Sequence, residues 1–213
     1  MFITFEGPDG SGKSSQISAL AEYLRAAGYS ILQTREPGGT AIGDKIRTLL
    51  FDLKNTDITH RTEILLFQAS RAQLVSQVIR PHLEAGWVVL CDRFADSTLA
   101  YQGYGYECRF GIDELRRIID FATQGLKPDL TLLLDVDVEV GLRRRQRTGD
   151  WNRLDAFDLA FHRRVRSGYL ELAREEPQRW VIVDASRPSE QVQEEIRKVV
   201  ISRLQEKESR QGL

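Results

Sequence analysis

The sequence has few residues that ligate soft metals or close covalent staples: three histidines and two cysteines among 213 residues. His60, His82 and His162 are scattered without ligand spacing, which excludes a structural zinc site. Cys91 and Cys108 form no C-x-x-C pair and are expected as free thiols. Long apolar runs are missing too. The longest, such as 87–91, are strand-sized, far short of the roughly 18–20 residues of a membrane helix, so no membrane partner is expected. No sign of charge dominates: 30 basic against 31 acidic residues leave a formal net charge of −1, and no global field draws the protein to nucleic acid. Met1 leads directly into Phe2-Ile3-Thr4-Phe5 and a glycine loop rather than the basic-then-apolar pattern of a signal peptide, so the expected location is the cytoplasm. Lysine is scarce as well, 6 against 24 arginines. That skew suits planar, bidentate binding of phosphate or carboxylate, although compositional bias alone also produces it.

What is present is ordinary for a globular chain: 41% hydrophobic and 29% charged residues. No repeat, low-complexity tract or proline-rich linker divides it, so a single domain over 1–213 is expected, with a polar, frayed tail over 206–213. Short apolar runs at 2–5, 31–34, 87–91, 130–134 and 180–183 read as strands buried on both faces. Between them, Ile17, Leu20, Ala21 and Leu24 recur at helical spacing and stop before Gly28; Ile112, Leu115, Ile118, Ile119 and Ala122 do so before Gly125. Val192, Ile196, Val199 and Val200 mark a last helix after Pro188. This alternation predicts parallel strands with right-handed crossovers: an α/β three-layer sandwich on a five-stranded parallel sheet. Over 62–80 the apolar positions cover most of a helical circumference, so that helix needs burial on two sides, against the sheet and against a helix, a ligand or a second subunit.

Gly7-Pro8-Asp9-Gly10-Ser11-Gly12-Lys13-Ser14 matches the phosphate-binding loop G-x-x-x-x-G-K-[ST], which a chain this size matches by chance on the order of 1% of the time. An apolar strand precedes it and an amphipathic helix follows, as its mechanics require. The glycines let backbone N–H groups point at phosphate oxygens, the helix N-terminus adds about half a positive charge, and Lys13 adds a full one. Ser14 supplies a hydroxyl to Mg²⁺. The segment therefore predicts ATP or GTP binding. A GTP switch would carry N-K-x-D and D-x-x-G; Leu126-Lys127-Pro128-Asp129 lacks the asparagine, and Asp92-Arg93-Phe94 lacks the glycine.

Arginines stand instead at strand ends. Arg35 closes the second strand and Asp92-Arg93 the third, so with Lys13 they converge beyond the carboxyl ends of a parallel sheet, where ligands bind. The loop already serves one triphosphate, and further arginines imply a second anion facing it. A third cluster, Arg143, Arg144, Arg145, Arg147 and Arg153, is interrupted by Gly149-Asp150-Trp151-Asn152. Like charges this dense repel unless an anion sits among them, and the segment over about 143–155 reads as a lid closing on transferring phosphates.

Phe5-Glu6-Gly7 before the loop, Thr34-Arg35-Glu36-Pro37-Gly38-Gly39, Leu66-Phe67-Gln68-Ala69-Ser70-Arg71, Asp92-Arg93-Phe94, Ser97-Thr98, Ala100-Tyr101-Gln102-Gly103 and Pro128-Asp129-Leu130-Thr131 together resemble the thymidylate kinase family over nearly the whole chain. The resemblance implies a P-loop nucleoside-monophosphate kinase fold, ATP and dTMP as substrates, Mg²⁺, and a homodimer. Carried over by position, it implies ATP on the loop from Gly7 to Ser15, including Ser15, and Mg²⁺ held by Ser14 and Asp92. It implies thymine stacked on Phe67 and hydrogen-bonded by Arg71, with Thr98 and Gln102 near the base and Ser97 also binding dTMP. Tyr101 would crowd the sugar's 2′ position, and Arg35 and Arg93 would hold the dTMP phosphate. Asp9 would partner the acceptor's sugar hydroxyl and the metal shell. Ser11 is not basic, so the catalytic arginine would come from the lid: Arg153, with Arg147 or a neighbour in reserve, beside Lys13, Arg93 and Asp9. Adenine would lie against Arg143 or a neighbouring lid-helix arginine and the loop 185–187, which carries Arg187. The chain departs from the family's D-R-x-E with Asn152-Arg153-Leu154-Asp155, and Phe94 stands where tyrosine is common.

The chemistry is coherent without the family. A phosphate acceptor has its second pKa near 6 and is mostly an ionised nucleophile at neutral pH, so no general base is required. The motifs contain no histidine to serve as one. The alternatives are a kinase of another nucleoside monophosphate and a non-catalytic nucleotide- or RNA-binding module.

Overall fold

The computed structural model describes residues 1–147 and 151–211. In chain order its elements are β1 (Phe2–Glu6), α1 (Lys13–Ala26), β2 (Ile31–Arg35), α2 (Ala41–Phe51), α3 (His60–Leu74), α4 (Arg80–Glu84), β3 (Val88–Asp92), α5 (Ala95–Thr98), α6 (Ile112–Thr123), β4 (Leu130–Asp135), α7 (Val138–Gln146), α8 (Leu159–Glu175), β5 (Trp180–Asp184) and α9 (Ser189–Gln211). The strands form one parallel sheet in the order β2-β3-β1-β4-β5.

Strand alternation divides the core. Ile3 and Phe5 of β1 and Leu130, Leu132 and Leu134 of β4 face α1 and α9, where Ile17, Leu20, Leu24, Val192, Ile196 and Val200 cover them. On the opposite face, Phe2, Val89 and Cys91 meet Leu74, Val75 and Ile79. Beside them Leu133 packs with Leu115, Phe161, Val165 and Tyr169 from α6 and α8. The result is the expected helix–sheet–helix sandwich. Helix starts follow local chemistry: Thr40, Asp137 and Asp158 each accept from a backbone N–H in the first turn of α2, α7 and α8. Gly28 after α1 and Gly125 after α6 take positive φ, as the stop signals require.

The helical pattern over 62–80 is interrupted. α3 passes into a π-helical turn at Val75–Ile79, and a second π segment, Leu99–Gly105, continues α5. The polar tail is not frayed through Gln211. α9 continues to that residue because Leu204 is buried and Lys207 reaches both oxygens of Asp129 at 3.0 Å. Gly212 and Leu213 of that expectation lie outside the described residues, as do Thr148, Gly149 and Asp150 of the expected lid. Both cysteines are free, Cys91 buried and Cys108 exposed. No described helix is long and apolar enough to cross a membrane.

Candidate active site

Beyond the carboxyl ends of β1, β2 and β3 the chain makes two adjoining hollows. The larger is an open cleft over the glycine loop, lined by Lys13, Ser14, Ser15, Arg35, Arg47, Asp92, Arg93, Arg144 and Arg145. The smaller, a pocket, is bounded by Phe67, Arg71, Ser97, Thr98, Tyr101 and Gln102, with Phe51 and Leu154 also lining it. Asp9 and Arg93 line both and mark the junction.

The loop, 7–12, turns through positive φ at Gly7, Gly10 and Gly12. Gly10 is also required by packing. A Cβ there would sit 2.0 Å from the carbonyl oxygen of Gly141, and one on Gly141 would sit 2.4 Å from that of Asp9, so loop and α7 meet backbone to backbone. This seats the root of the arginine-rich helix on the phosphate loop. Lys13 is buried and folds back to donate to the carbonyls of Gly7 (3.1 Å) and Pro8 (2.9 Å). Burial and the neighbouring Arg93 push its ammonium down to about 8, against the pull of Asp92, Asp9 and Glu6. Ser14 Oγ donates to Asp92 at 2.6 Å, bringing the first turn of α1 and the end of β3 together.

Arg93 has φ 66, a left-handed conformation unusual for a side chain of its size. Its Nη2 donates to Asp9 (2.7 Å) and Tyr101 (3.1 Å), its Nη1 to Tyr169 (2.9 Å) and Ser97 (3.3 Å). Tyr101 donates to the other Asp9 oxygen at 2.5 Å. Burial would raise the Asp9 carboxyl, but Arg93, Lys13 and the Tyr101 hydrogen bond outweigh it and hold the group well below the carboxylate range. A carboxylate in a phosphate loop is thus neutralised by the cations around it. Behind Arg93, buried Glu6 is pushed up to about 7 by desolvation, with Asp96 adding and Arg93 and hydrogen bonds opposing.

Arg71 is 1% exposed and donates to Glu36, Gln68, Thr98 and the Phe94 carbonyl, with its Nη2 also 2.7 Å from the same Glu36 oxygen. Phe67 is half-buried beside it. Gln102 and Tyr101, on the second π segment, complete the wall, in line with the tendency of such segments to carry functional side chains.

Of the residues singled out in the sequence, Gly10, Gly12, Lys13, Ser14, Ser15, Arg35, Asp92 and Arg93 meet in the cleft, and Phe67, Arg71, Ser97, Thr98, Tyr101 and Gln102 in the pocket. Others stand apart. Arg153 pairs with buried Glu63 and donates to the Leu50 carbonyl at 3.1 Å, so it lines neither hollow. Arg143 is exposed, whereas Arg144 both lines the cleft and donates to the Ala185 carbonyl at 3.1 Å. Arg187 turns to Glu195 and the Asp184 carbonyl. The sequence reading missed Arg47, which donates to the Pro37 carbonyl at 2.9 Å and lines the cleft. Burial and the neighbouring Arg35, Arg145 and Arg93 push its guanidinium down to about 10. Tyr169, Glu63 and the Glu36–Arg71 pair were missed as well. Glu36 and Arg71 both lie in quoted motifs, but nothing in those motifs pairs them; Tyr169 and Glu63 show only an aromatic or charged residue on an otherwise ordinary helix.

Five guanidinium groups and one ammonium around an open cleft, beside a pocket with an aromatic face, suit two anionic ligands meeting at Asp9 and Arg93. Comparison with known proteins agrees. A family model described as "Thymidylate kinase" matches residues 5–196. A protein of Roseiflexus sp. (strain RS-1) named "Thymidylate kinase" is 50% identical over 214 residues, covering 94% of this chain and 93% of its own length. One of the same name from Thermomicrobium roseum is 56% identical over 194 residues, covering 90% of each. A crystal structure of thymidylate kinase from Ehrlichia chaffeensis superimposes with a TM-score of 0.77 at 35% identity, over 94% of this chain and 98% of that one. With the loop, the strand-end arginines and the second pocket in place, the chain belongs to the thymidylate kinase family.

Proposed function

We propose that this chain transfers the γ-phosphoryl group of ATP to dTMP, giving dTDP for dTTP synthesis. What carries the reading is the junction of the hollows at Asp9 and Arg93, where a triphosphate on the loop and a nucleoside monophosphate in the pocket would present phosphates to each other. ATP binds Gly7 to Ser15, with Lys13 at its terminal phosphates. Thymine lies on Phe67 and against Arg71, Thr98 and Gln102, Tyr101 bars a ribose hydroxyl, and Arg35 and Arg93 grip the acceptor phosphate. Residues 1–213 act as one domain, 143–155 as its lid, in the cytoplasm, with no nucleic-acid or membrane partner. Catalysis is alignment and charge neutralisation: the acceptor phosphate is already an ionised nucleophile, and no described histidine lines either hollow.

Ser14 and Asp92 fit Mg²⁺: their oxygens are hard donors 2.6 Å apart, and two protein ligands leave positions for phosphate oxygens. Among the described residues no cluster of three metal-ligating side chains offers an all-protein cage. The bound ion would neutralise charge on the β- and γ-phosphates.

The test is a phosphotransfer panel of dTMP, dUMP, UMP, AMP and thymidine, with and without Mg²⁺. Turnover is expected for dTMP, with Mg²⁺, at a rate well above every other acceptor; preferred turnover of UMP, AMP or thymidine overturns the reading, as does salt-sensitive RNA binding without phosphotransfer.

The protein acts as a homodimer. In support, α3 touches both α2 and α6, and these three helices carry large apolar side chains in solvent: Leu49 (52% exposed), Leu65 (60%) and Phe121 (87%). Sedimentation at micromolar concentration is expected to give twice the chain mass, and Leu65→Asp with Phe121→Asp to give a monomer. A monomeric unmodified protein contradicts it.

A further inference from the structure

Glu6, the last residue of β1, is fully buried, and none of the roles above uses it. Its Oε1 accepts the Phe94 N–H at 2.7 Å. Its Oε2 accepts the Ser97 hydroxyl at 2.6 Å and the Tyr169 hydroxyl at 2.9 Å. Those two hydroxyl oxygens, 2.8 Å apart, are also the acceptors of Arg93 Nη1. A guanidinium group only donates, so both oxygens must turn lone pairs toward Arg93. Each hydroxyl has a single proton, which must therefore go elsewhere. A carboxylate at Glu6 takes both.

The same carboxylate holds the backbone. Arg93 sits at φ 66 between two anchored amides, its own N–H bonded to the Phe5 carbonyl at 2.9 Å and the next one bonded to Glu6. Glu6 thus fixes the strained turn that projects Arg93 and sets the polarity of two of its side-chain partners. Asp9 and Tyr101 hold Nη2 from the pocket side.

We propose that Glu6 is the positioning residue for Arg93: as a carboxylate it orients the Ser97 and Tyr169 hydroxyls to accept from the guanidinium, which is thereby aimed at the acceptor's phosphate. This rests on the reading that Arg93 grips the dTMP phosphate. In a Glu6→Gln protein neither amide orientation restores the pattern. With nitrogen toward Ser97 and Tyr169, one hydroxyl can pass its proton to the other, 2.8 Å away, but the second proton loses its acceptor; with nitrogen toward Phe94, two N–H donors face each other.

The effect must be confined to ligands that carry the phosphate, which separates positioning from a general role in folding. Binding of dTMP and of thymidine is measured by calorimetry at pH 8.5, above the value of about 7 to which burial pushes Glu6, for the unmodified protein, Glu6→Gln, Tyr169→Phe and Arg93→Ala. Glu6→Gln is expected to weaken dTMP by at least about 10-fold and thymidine by less than about 2-fold, the size of a lost charge-assisted hydrogen bond. Tyr169→Phe, which removes one of the two oriented acceptors, is expected to weaken dTMP by about 3-fold and to spare thymidine. Equal losses for both ligands in Glu6→Gln overturn the proposal, because they assign Glu6 to the fold. Unchanged dTMP binding in Glu6→Gln while Arg93→Ala weakens it overturns the proposal and leaves the reading of Arg93 standing. Unchanged dTMP binding in Arg93→Ala removes that reading and the proposal with it. Should Glu6→Gln fail to fold, Tyr169→Phe decides: dTMP binding as tight as in the unmodified protein overturns the proposal.

Discussion

With both substrates saturating, Arg153→Ala is expected to lower kcat by at least about 10²-fold with a smaller change in KM, because an arginine on the transferring phosphoryl group acts chiefly in the transition state. The structure adds a condition. Arg153 is held by the Glu63 carboxylate and the Leu50 carbonyl and lines neither hollow, so it must exchange Glu63 for phosphate oxygens before it contributes. Removing it leaves the buried Glu63 carboxylate with two neutral donors, Gln102 at 2.8 Å and Tyr106 at 2.7 Å, so Tm is expected to fall as well, and kcat must be read well below the variant's melting temperature. Steady-state kinetics with a melting curve as control checks both points. An unaltered kcat moves the role to α7, where Arg145 lines the cleft and bonds Asp155 at 3.2 Å; Arg145→Ala is then the variant that should lose activity.

Why Arg153 was legible as an arginine of interest and its resting partner was not follows from the range of each signal. The phosphate loop, the strands and the stops at Gly28 and Gly125 are written in consecutive residues, and these lie where the pattern places them. The crevice follows from strand order alone: β1 and β3 are neighbours, so Lys13, Asp92 and Arg93 must meet. Partnerships across the chain carry no such mark. Tyr169 reaches Glu6 over 163 positions, and Arg153 reaches Glu63 over 90, through the packing of helices whose residues look like any amphipathic face. Arg47 belongs with them: it occupies an ordinary charged position of α2, and only the path of α2 past Pro37 turns it into the cleft. The interruption of α3 was hidden for a different reason. A π turn shifts the helical phase without demanding a distinctive residue, so the apolar positions over 62–80 read as one helix with an unusually wide buried face.

The largest effect on stability is expected from Glu36→Ala. Glu36 and Arg71 have side chains 3% and 1% exposed, and the Arg71 guanidinium meets one Glu36 oxygen through both Nε (2.8 Å) and Nη2 (2.7 Å). Their attraction alone does not make the pair stabilising, since both charges have left water; what is costly is to strand one of them. Without Glu36 the guanidinium keeps Gln68, Thr98 and the Phe94 carbonyl, all neutral, and its charge is left uncompensated in the core. The expected loss is about 3–5 kcal/mol, or a fall in Tm of roughly 6–20 °C for a domain of this size. Breaking an exposed pair gives the scale for comparison. Arg117 and Glu114 are 79% and 57% exposed on α6, and Glu114→Ala is expected to move Tm by less than about 2 °C. Replacing the buried pair together, Glu36→Ala with Arg71→Leu, is expected to recover most of the loss, because it removes the stranded charge as well as its partner. The double variant should melt close to the unmodified protein and still fail to bind dTMP tightly, since Arg71 also lines the pocket. Thermal melts of the three variants decide the matter: a double variant no more stable than Glu36→Ala would show that the cost lies in the packing around Pro37 rather than in the unpaired charge.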